Sequence, residues 1–239
     1  MGVLQLERCT GRGCALTAAS TIPEKAAASE PQRCPWAGSD PLYLRYHDEE
    51  WGVPKTKDRD FFEKMILEGF QSGLSWITIL RKREAFRDAF AGFDPAKIAK
   101  YGDSDVSNLL NNSGIVRHRG KIEAAIANAH AYLKLRETQS LAAYLWDFVD
   151  GTAIQNRFSS SSEIPAQTPL SQTISKELKR LGFRFIGPTT AYSMMQACGL
   201  VNDHLTSCHR HDAVAALATS FGQKTSRGKS NATEPKRAR

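Results

Sequence analysis

The 239-residue chain has no run of eighteen apolar residues, so no segment reads as a membrane-spanning helix. At its N-terminus it lacks a basic stretch followed by an apolar core, which argues against a secretory signal. Leu6 stands where an N-myristoylation motif needs Ser or Thr. Cysteine is sparse and odd in number: five residues, at Cys9, Cys14, Cys34, Cys198 and Cys208. Without a secretory signal, a disulfide framework is not expected, and an intracellular, reducing setting is: cytoplasm or nucleoid in a bacterium, nucleus in a eukaryote. Alternating apolar–polar runs reduce to one, Phe183-Arg184-Phe185-Ile186, and there is no internal repeat. Together these absences exclude membrane-embedded, disulfide-scaffolded and sheet-dominated architectures.

What is present is an ordinary globular composition, 41% hydrophobic and 24% charged. The net charge of +7 invites a nucleic-acid partner, but most of it sits in the last eighteen residues. There Lys224, Arg227, Lys229, Lys236, Arg237 and Arg239 face a single acid, Glu234. The remainder is close to neutral, so DNA binding has to be argued from a site rather than from charge. Residues 1–33, rich in Ala, Ser, Thr, Gly and Pro, read as a flexible extension. Residues 34–212 read as the domain. Residues 213–239 have room for a short helix before a disordered basic tail, in which the sequon Asn231-Ala232-Thr233 falls by chance.

Between the extensions the apolar period is helical, and the expected class is all-α. Phe61, Phe62, Met65, Ile66 and Gly69 share one face. Asp94-Pro95 is a cap followed by proline at the first helical position, opening a short helix to about Tyr101. Val106, Leu109 and Leu110 mark the next helix, and Lys121 to Leu133 a longer one. Ser140 caps a helix carrying Leu141, Leu145 and Phe148. Ser171 opens another, with Ile174, Leu178 and Leu181 inward and Gly182 at its stop.

That last helix leads through Phe183-Arg184-Phe185-Ile186-Gly187-Pro188 into a new one, within a unit of about residues 171–199. The stretch resembles the helix–hairpin–helix of DNA-repair glycosylases, in which Gly182, Gly187 and Thr189 would lie against DNA. Gly187 would let backbone approach a phosphate, and the N–H groups of the following helix would donate to it. A plain helical corner with Phe183, Phe185 and Ile186 in the core fits the same residues. In superfamily members that also cut the strand, a lysine stands two residues after the second hairpin glycine. Here that residue is Thr189, so no Schiff-base chemistry is expected. An activating aspartate is found downstream in many members; whether Asp203 is in register for that role is open.

Two pairs have metal-ligand spacing. Cys34 and His47 are separated by twelve residues, His204 and Cys208 by three, and the latter would share a helical face at i and i+4. The same spacings suit four ordinary semi-buried residues. His209 and His211 beside Cys208 leave the identity of a fourth donor open.

The strings Cys34-Pro35-Trp36, Asp40-Pro41-Leu42-Tyr43-Leu44-Arg45-Tyr46-His47-Asp48, Glu50-Trp51-Gly52-Val53-Pro54, Leu67-Glu68-Gly69-Phe70-Gln71-Ser72-Gly73-Leu74-Ser75-Trp76, Gly114 to Ile122 and Met195 to His204 resemble the type I 3-methyladenine DNA glycosylases. The likeness spans about residues 34–208. It implies a monofunctional enzyme with a helix–hairpin–helix fold, acting as a monomer on double-stranded DNA that contains alkylated adenine. It also implies one structural Zn²⁺ held by Cys34, His47, His204 and Cys208. Four ligands leave no open position, and tying together pairs about 160 residues apart would stabilise by roughly 4–5 kcal/mol before ligand-ordering costs.

The implied pocket makes chemical sense. N3-alkylation leaves adenine cationic and a good leaving group, so the enzyme must extrude it, recognise a cation and stabilise an oxocarbenium-like sugar. Tyr46 and Trp76 would stack on the flipped base, with Trp51, Tyr43 and Trp36 completing the wall. Glu68, the lone acid in an apolar helix end, would accept from the exocyclic amine, its role chiefly recognition. Gly73-Leu74 would fill the gap left by the base. Singly, each aromatic is as well explained as core, and Glu68 as a partner of Lys64 at i−4. Arg117, His118, Arg119 and Lys121 are either phosphate contacts or a solvated basic turn. Competing functions are an inactive, zinc-stabilised module for damaged DNA and a glycosylase of shifted alkyl-purine specificity.

Overall fold

A computed structural model of the chain describes residues 30–218. Residues 1–29 and 219–239, with most of the expected extension, the sequon and the basic tail, lie outside the described residues. From Pro31 onward the described chain belongs to one unit.

The first helix, α1 (Pro41–Glu49), starts because Asp40 accepts hydrogen bonds from the Leu42 and Tyr43 amides and Pro41 sits at its first position. It delivers Tyr43, Tyr46 and His47. The central helix is α2 (Asp58–Gln71), whose Asp58 and Asp60 complement the positive end of the helix dipole. Its side chains from Phe61 to Phe70 are buried apart from Glu63, which is half-buried, and it packs on the α10 helix (Pro188–Cys198). Phe70, Phe86, Phe90 and Phe93 stack into the core around α3 (Trp76–Arg81) and α4 (Arg83–Ala89). Full burial of such a ring contributes about 2–3 kcal/mol.

The expected caps at Asp94 and Ser140 form, the first on α5 (Pro95–Ile98) and the second on α8 (Leu141–Asp147). Between them run α6 (Asp103–Asn111) and the long α7 (Arg119–Arg136). Two expectations need correction. Ser171 does not open its helix: α9 (Pro169–Arg180) is capped by Thr168, and the Thr168 and Ser171 side chains bond each other's backbone amides reciprocally. The fold is also mostly rather than wholly helical. β1 (Ile154–Gln155) and β2 (Val201–Asn202) form a two-residue parallel pair, too short to leave any alternation in sequence. A further helix covers residues 211–218. No helix of the described residues is long and apolar enough to cross a membrane.

The α9–α10 corner turns on Gly182 at φ +98°, a left-handed conformation that favours glycine. Phe183 and Ile186 are buried, but Phe185 sits at φ +56° and is 40% exposed, so it is not the core residue a plain corner would make it. The turn is held from outside. Asn128 on α7 exchanges two hydrogen bonds with the Arg184 backbone, and Ser175 donates to the Ile186 carbonyl at 2.6 Å.

Candidate active site

Helices α1, α2, α3 and α10 and the 161–164 turn enclose a cavity of about 310 Å³, within the range of small-ligand sites. Its walls include Trp36, Tyr43, Tyr46, Trp51, Glu68 and Trp76, so every expected pocket residue lines one space. Tyr46 and Trp76 meet at 5.4 Å between ring centroids and form one corner; Trp36 packs on Tyr43 at 5.1 Å and Trp51 at 4.9 Å to form another.

Glu68 is the acid on this aromatic surface. It is 5% exposed and makes no hydrogen bond among the described residues. Burial raises its carboxyl to about 7, against the opposing pull of the Lys64 ammonium one helical turn back. Lys64 is not its ion-pair partner: that ammonium bonds Glu50 and Tyr46 instead. The Trp76 indole Nε1–H is likewise buried with no acceptor. The aromatic wall thus includes one acceptor, Glu68, that no described residue bonds, and one tryptophan whose buried N–H also lacks a partner. Burial, reinforced by Glu68, raises the Tyr46 phenol well above its ordinary range, so it stays neutral.

Gln71, Ser161, Ile164, Ser193 and Gln196 also line the cavity and were not anticipated. Gln71 lies one turn beyond Glu68, which is a readable signal. Ser161 and Ile164 come from an irregular stretch that offers none.

On the far side of Trp36 and Trp51, the sulfur and ring-nitrogen atoms of Cys34, His47, His204 and Cys208 all lie within 4.8 Å of one another, and all four residues are buried. Cys34 Sγ is 3.6 Å from His204 Nδ1; Cys208 Sγ is 3.5 Å from both His47 Nε2 and His204 Nδ1. Those three separations, with the others up to 4.8 Å, are compatible with four donors around one small metal ion, for which a tetrahedral Zn²⁺ has ligand distances of about 2.0–2.3 Å. The remaining ring nitrogens are committed as a metal site requires. His47 Nδ1 donates to Asp48 Oδ1 at 2.7 Å and His204 Nε2 to the Trp51 carbonyl at 3.1 Å, which turns the other nitrogen's lone pair toward the sulfurs. His209 is bonded to the Gln32 carbonyl and His211 to the Asn156 carbonyl; Cys208 is the fourth member of the cluster.

Asp203, beside this cluster, is 1% exposed and accepts from Asn156 Nδ2, Tyr192 Oη and Gln196 Nε2 at 2.6, 2.6 and 2.8 Å. It does not line the cavity; its link to that space is Gln196.

A groove of about 240 Å³ continues from the cavity past Glu68 and Gln71 to Gly73, Leu74 and Thr189. Leu74 is 43% exposed at the tip of the α2–α3 turn, which Gly73 enables at φ +82°. Gly187 caps α10 with φ −76°, and a Cβ there would meet open space. Gly182 has its own explanation in ending α9. Lys121 is not available to a phosphate: it is buried and donates to the Phe70 and Ser72 carbonyls, closing the end of α2. His118 accepts from the Lys121 amide as the cap of α7.

Residues 36–211 match the family model described as methyladenine glycosylase. DNA-3-methyladenine glycosylase 1 of Escherichia coli (strain K12) is 49% identical over 178 residues, which are 74% of this chain and 95% of that protein. A crystal structure of 3-methyladenine DNA glycosylase I superposes with a TM-score of 0.74 at 53% identity, over 75% of this chain and all of the other. The Staphylococcus aureus structure titled for its recognition of 3-methyladenine gives 0.73 at 37% identity, over 75% and 96%.

Proposed function

The chain belongs to the methyladenine glycosylase family, and from that premise we infer that it is a DNA-3-methyladenine glycosylase. It hydrolyses the N-glycosidic bond of the alkylated base in DNA and leaves an abasic site. The observation that carries this reading is Glu68, a buried carboxylate without a partner on an otherwise aromatic cavity. A base alkylated at N3 is cationic, planar and carries an exocyclic amine. Stacking against Tyr46 and Trp76 satisfies the plane and the charge. Glu68 accepts from the amine, and the incoming cation draws its carboxyl down, so base capture and ionisation of Glu68 are coupled. Tyr43, Trp51 and Trp36 exclude water. The leaving group departs neutral without a protonating acid, which suits a site whose lone carboxyl serves recognition.

Leu74, carried by Gly73, occupies the gap in the stack of double-stranded DNA, and the open amides of Gly187 and Thr189 at the start of α10, on either side of Pro188, hold a phosphate beside it. Gly182 sets the corner that aims them. Thr189 offers no amine for Schiff-base attack, so the strand stays intact. The domain is taken as residues 34–212, acting as an intracellular monomer, with helix–hairpin–helix geometry in α9 and α10. Cys34, His47, His204 and Cys208 hold one Zn²⁺. When bound it supplies a closed, four-ligand cross-link between the ends of the domain and no open position for substrate.

The test is release of free 3-methyladenine from methylated duplex DNA by the wild type and by Glu68→Ala. Release that falls sharply in the variant at unchanged zinc content supports both activity and pocket. A folded, metal-loaded wild type that binds DNA but frees no base sinks the enzyme reading and leaves a damage-binding module. Release of other alkylated purines in preference marks a shifted specificity.

A further inference from the structure

Behind the Tyr46–Trp76 corner lies a charged group that the excision chemistry above does not use. Lys64 on α2 is 1% exposed, and it does not line the cavity. Its ammonium stands between the cavity wall and an outer charged cleft shared with Glu50, Arg83 and Arg87. Nζ lies 3.1 Å from Tyr46 Oη and 3.1 Å from Glu50 Oε1, and 4.3 and 4.6 Å from the Tyr46 and Trp76 ring centroids. Glu50 is held in turn by Arg83, which also bonds Glu63. An apolar side chain of the same length would fill this space without the cost of desolvating an ammonium.

The donor inventory decides what the contact does. A lysine ammonium only donates, so in the Lys64–Tyr46 bond the phenol oxygen must accept. The Tyr46 hydroxyl proton therefore points elsewhere, and among the described residues it has no protein acceptor; Tyr46 lines the cavity and, on its other side, a cleft with Arg83 and Glu50, whose carboxylate is already taken by Lys64 and Arg83. Were Lys64 absent, the hydroxyl would be free to rotate, and nothing would hold its proton toward a ligand.

We propose that Lys64 is a positioning residue for base excision: by donating to Tyr46 Oη it fixes Tyr46 as a hydrogen-bond donor into the cavity, and so selects a purine that offers a ring-nitrogen lone pair at that point. It acts through Tyr46 and touches no base. The inference rests on the cavity being the base site.

The test is a double-mutant cycle read by single-turnover release of 3-methyladenine from methylated duplex and by the affinity for the free base. Lys64→Met lowers both about tenfold where Tyr46 is present, the scale of one oriented hydrogen bond. In the Tyr46→Phe background the same substitution costs less than twofold, because there is no hydroxyl left to orient. Equal losses in both backgrounds overturn the proposal and reduce Lys64 to a structural ion-pair partner of Glu50. Should Lys64→Met not fold, the wild type suffices. Replacing the 1- or 7-nitrogen of free 3-methyladenine by C–H weakens binding about tenfold for the analogue that loses Tyr46's acceptor. Equal affinity for the parent base and both analogues overturns the assignment. A wild type that binds no free base at all fails the cavity reading instead, which separates the two.

Discussion

Two polar constellations are buried within a few side chains of each other, and they are built on opposite principles. Around Cys34, His47, His204 and Cys208 the groups answer one another: each histidine's outer nitrogen has its acceptor, and neighbouring Asp203 takes three donors. Across Trp36 and Trp51, on the residues that line the cavity, the Glu68 carboxylate and the Trp76 Nε1–H have no partner among the described residues. Both carboxylates are almost wholly buried, Asp203 at 1% and Glu68 at 5%, so burial does not distinguish them. Satisfaction does. A carboxylate that the fold has saturated works for the fold, whereas one left desolvated and unpaired is a standing cost that a ligand removes.

The sharpest way to break this contrast is at the cluster. If the cluster holds the proposed ion, a chelator is expected to lower unfolding free energy by about 4 kcal/mol, since that cross-link would close a loop spanning most of the domain. Denaturant melts with and without chelator measure it. A chelator that leaves the midpoint unmoved would show that the four side chains pack without an ion. Next in size is Asp203→Ala, which strands the buried Tyr192 hydroxyl and the half-buried Asn156 and Gln196 amides as donors and is expected to cost about 2–3 kcal/mol. If stability is unchanged but base release is abolished, Asp203 is chemical rather than structural and the comparison inverts.

Glu68→Gln should do the opposite and stabilise. The Glu68 carboxyl is raised to about 7 from an ordinary 4.5. Between those values the folded state binds more protons than the unfolded, so wild-type stability falls as pH rises from about 4.5 to 7 and levels above. Glutamine escapes that loss. The variant gains about 2–3 kcal/mol at pH 8 and almost nothing near pH 4.5, while base release drops about a hundredfold. A destabilised variant at pH 8 would show that Glu68 is paired after all. The same carboxyl sets the pH profile. The acidic limb of kcat/KM should fall near pH 7, reporting the free enzyme, and that of kcat should lie lower, because the bound cation favours the carboxylate. Facing Glu68 are Lys64 on its own helix, Tyr43 and Tyr46 on α1, and Cys198 on α10; burial raises the last three and lowers Lys64, against the pull of Glu50, which leaves Lys64 as the cation of the set.

What was legible in sequence follows the range of the physics. The faces of α2 and α9 are local patterns and could be read, as could the caps at Asp94 and Ser140; α7 was legible as a helix, but Leu133, expected inward, is exposed. The start of α9 was misplaced because Thr168 and Ser171 are both capping residues; Pro169 at the first helical position was the better signal. The aromatic wall was visible only through family resemblance, since Trp36 sits on a short 3₁₀ turn, Tyr43 and Tyr46 on α1 and Trp51 in the turn after it, and each looks like a surface-to-core boundary. Lys64 and Lys121 were unreadable as buried groups. Their partners, the Glu50 carboxylate and Tyr46 hydroxyl for one, the Phe70 and Ser72 carbonyls for the other, lie on different segments or beyond a helix end. Gln196 is similar, because its place in the cavity wall depends on Asp203 holding its amide.

The smallest expected effect on stability lies outside both constellations and tests whether the cavity is entered from DNA. Leu74 is 43% exposed and borders the groove that joins Glu68 to Thr189. Leu74→Ala should change unfolding free energy by less than about 0.5 kcal/mol, as for most surface substitutions. Its affinity for the free base should be unchanged, because the side chain does not line the cavity. Excision from duplex should fall severalfold, and excision from single-stranded DNA, where no stack needs filling, should fall less. Loss of free-base binding would place Leu74 in the pocket wall. Equal losses on single and double strands would remove it from base extrusion and leave the exposed apolar tip as an ordinary surface residue.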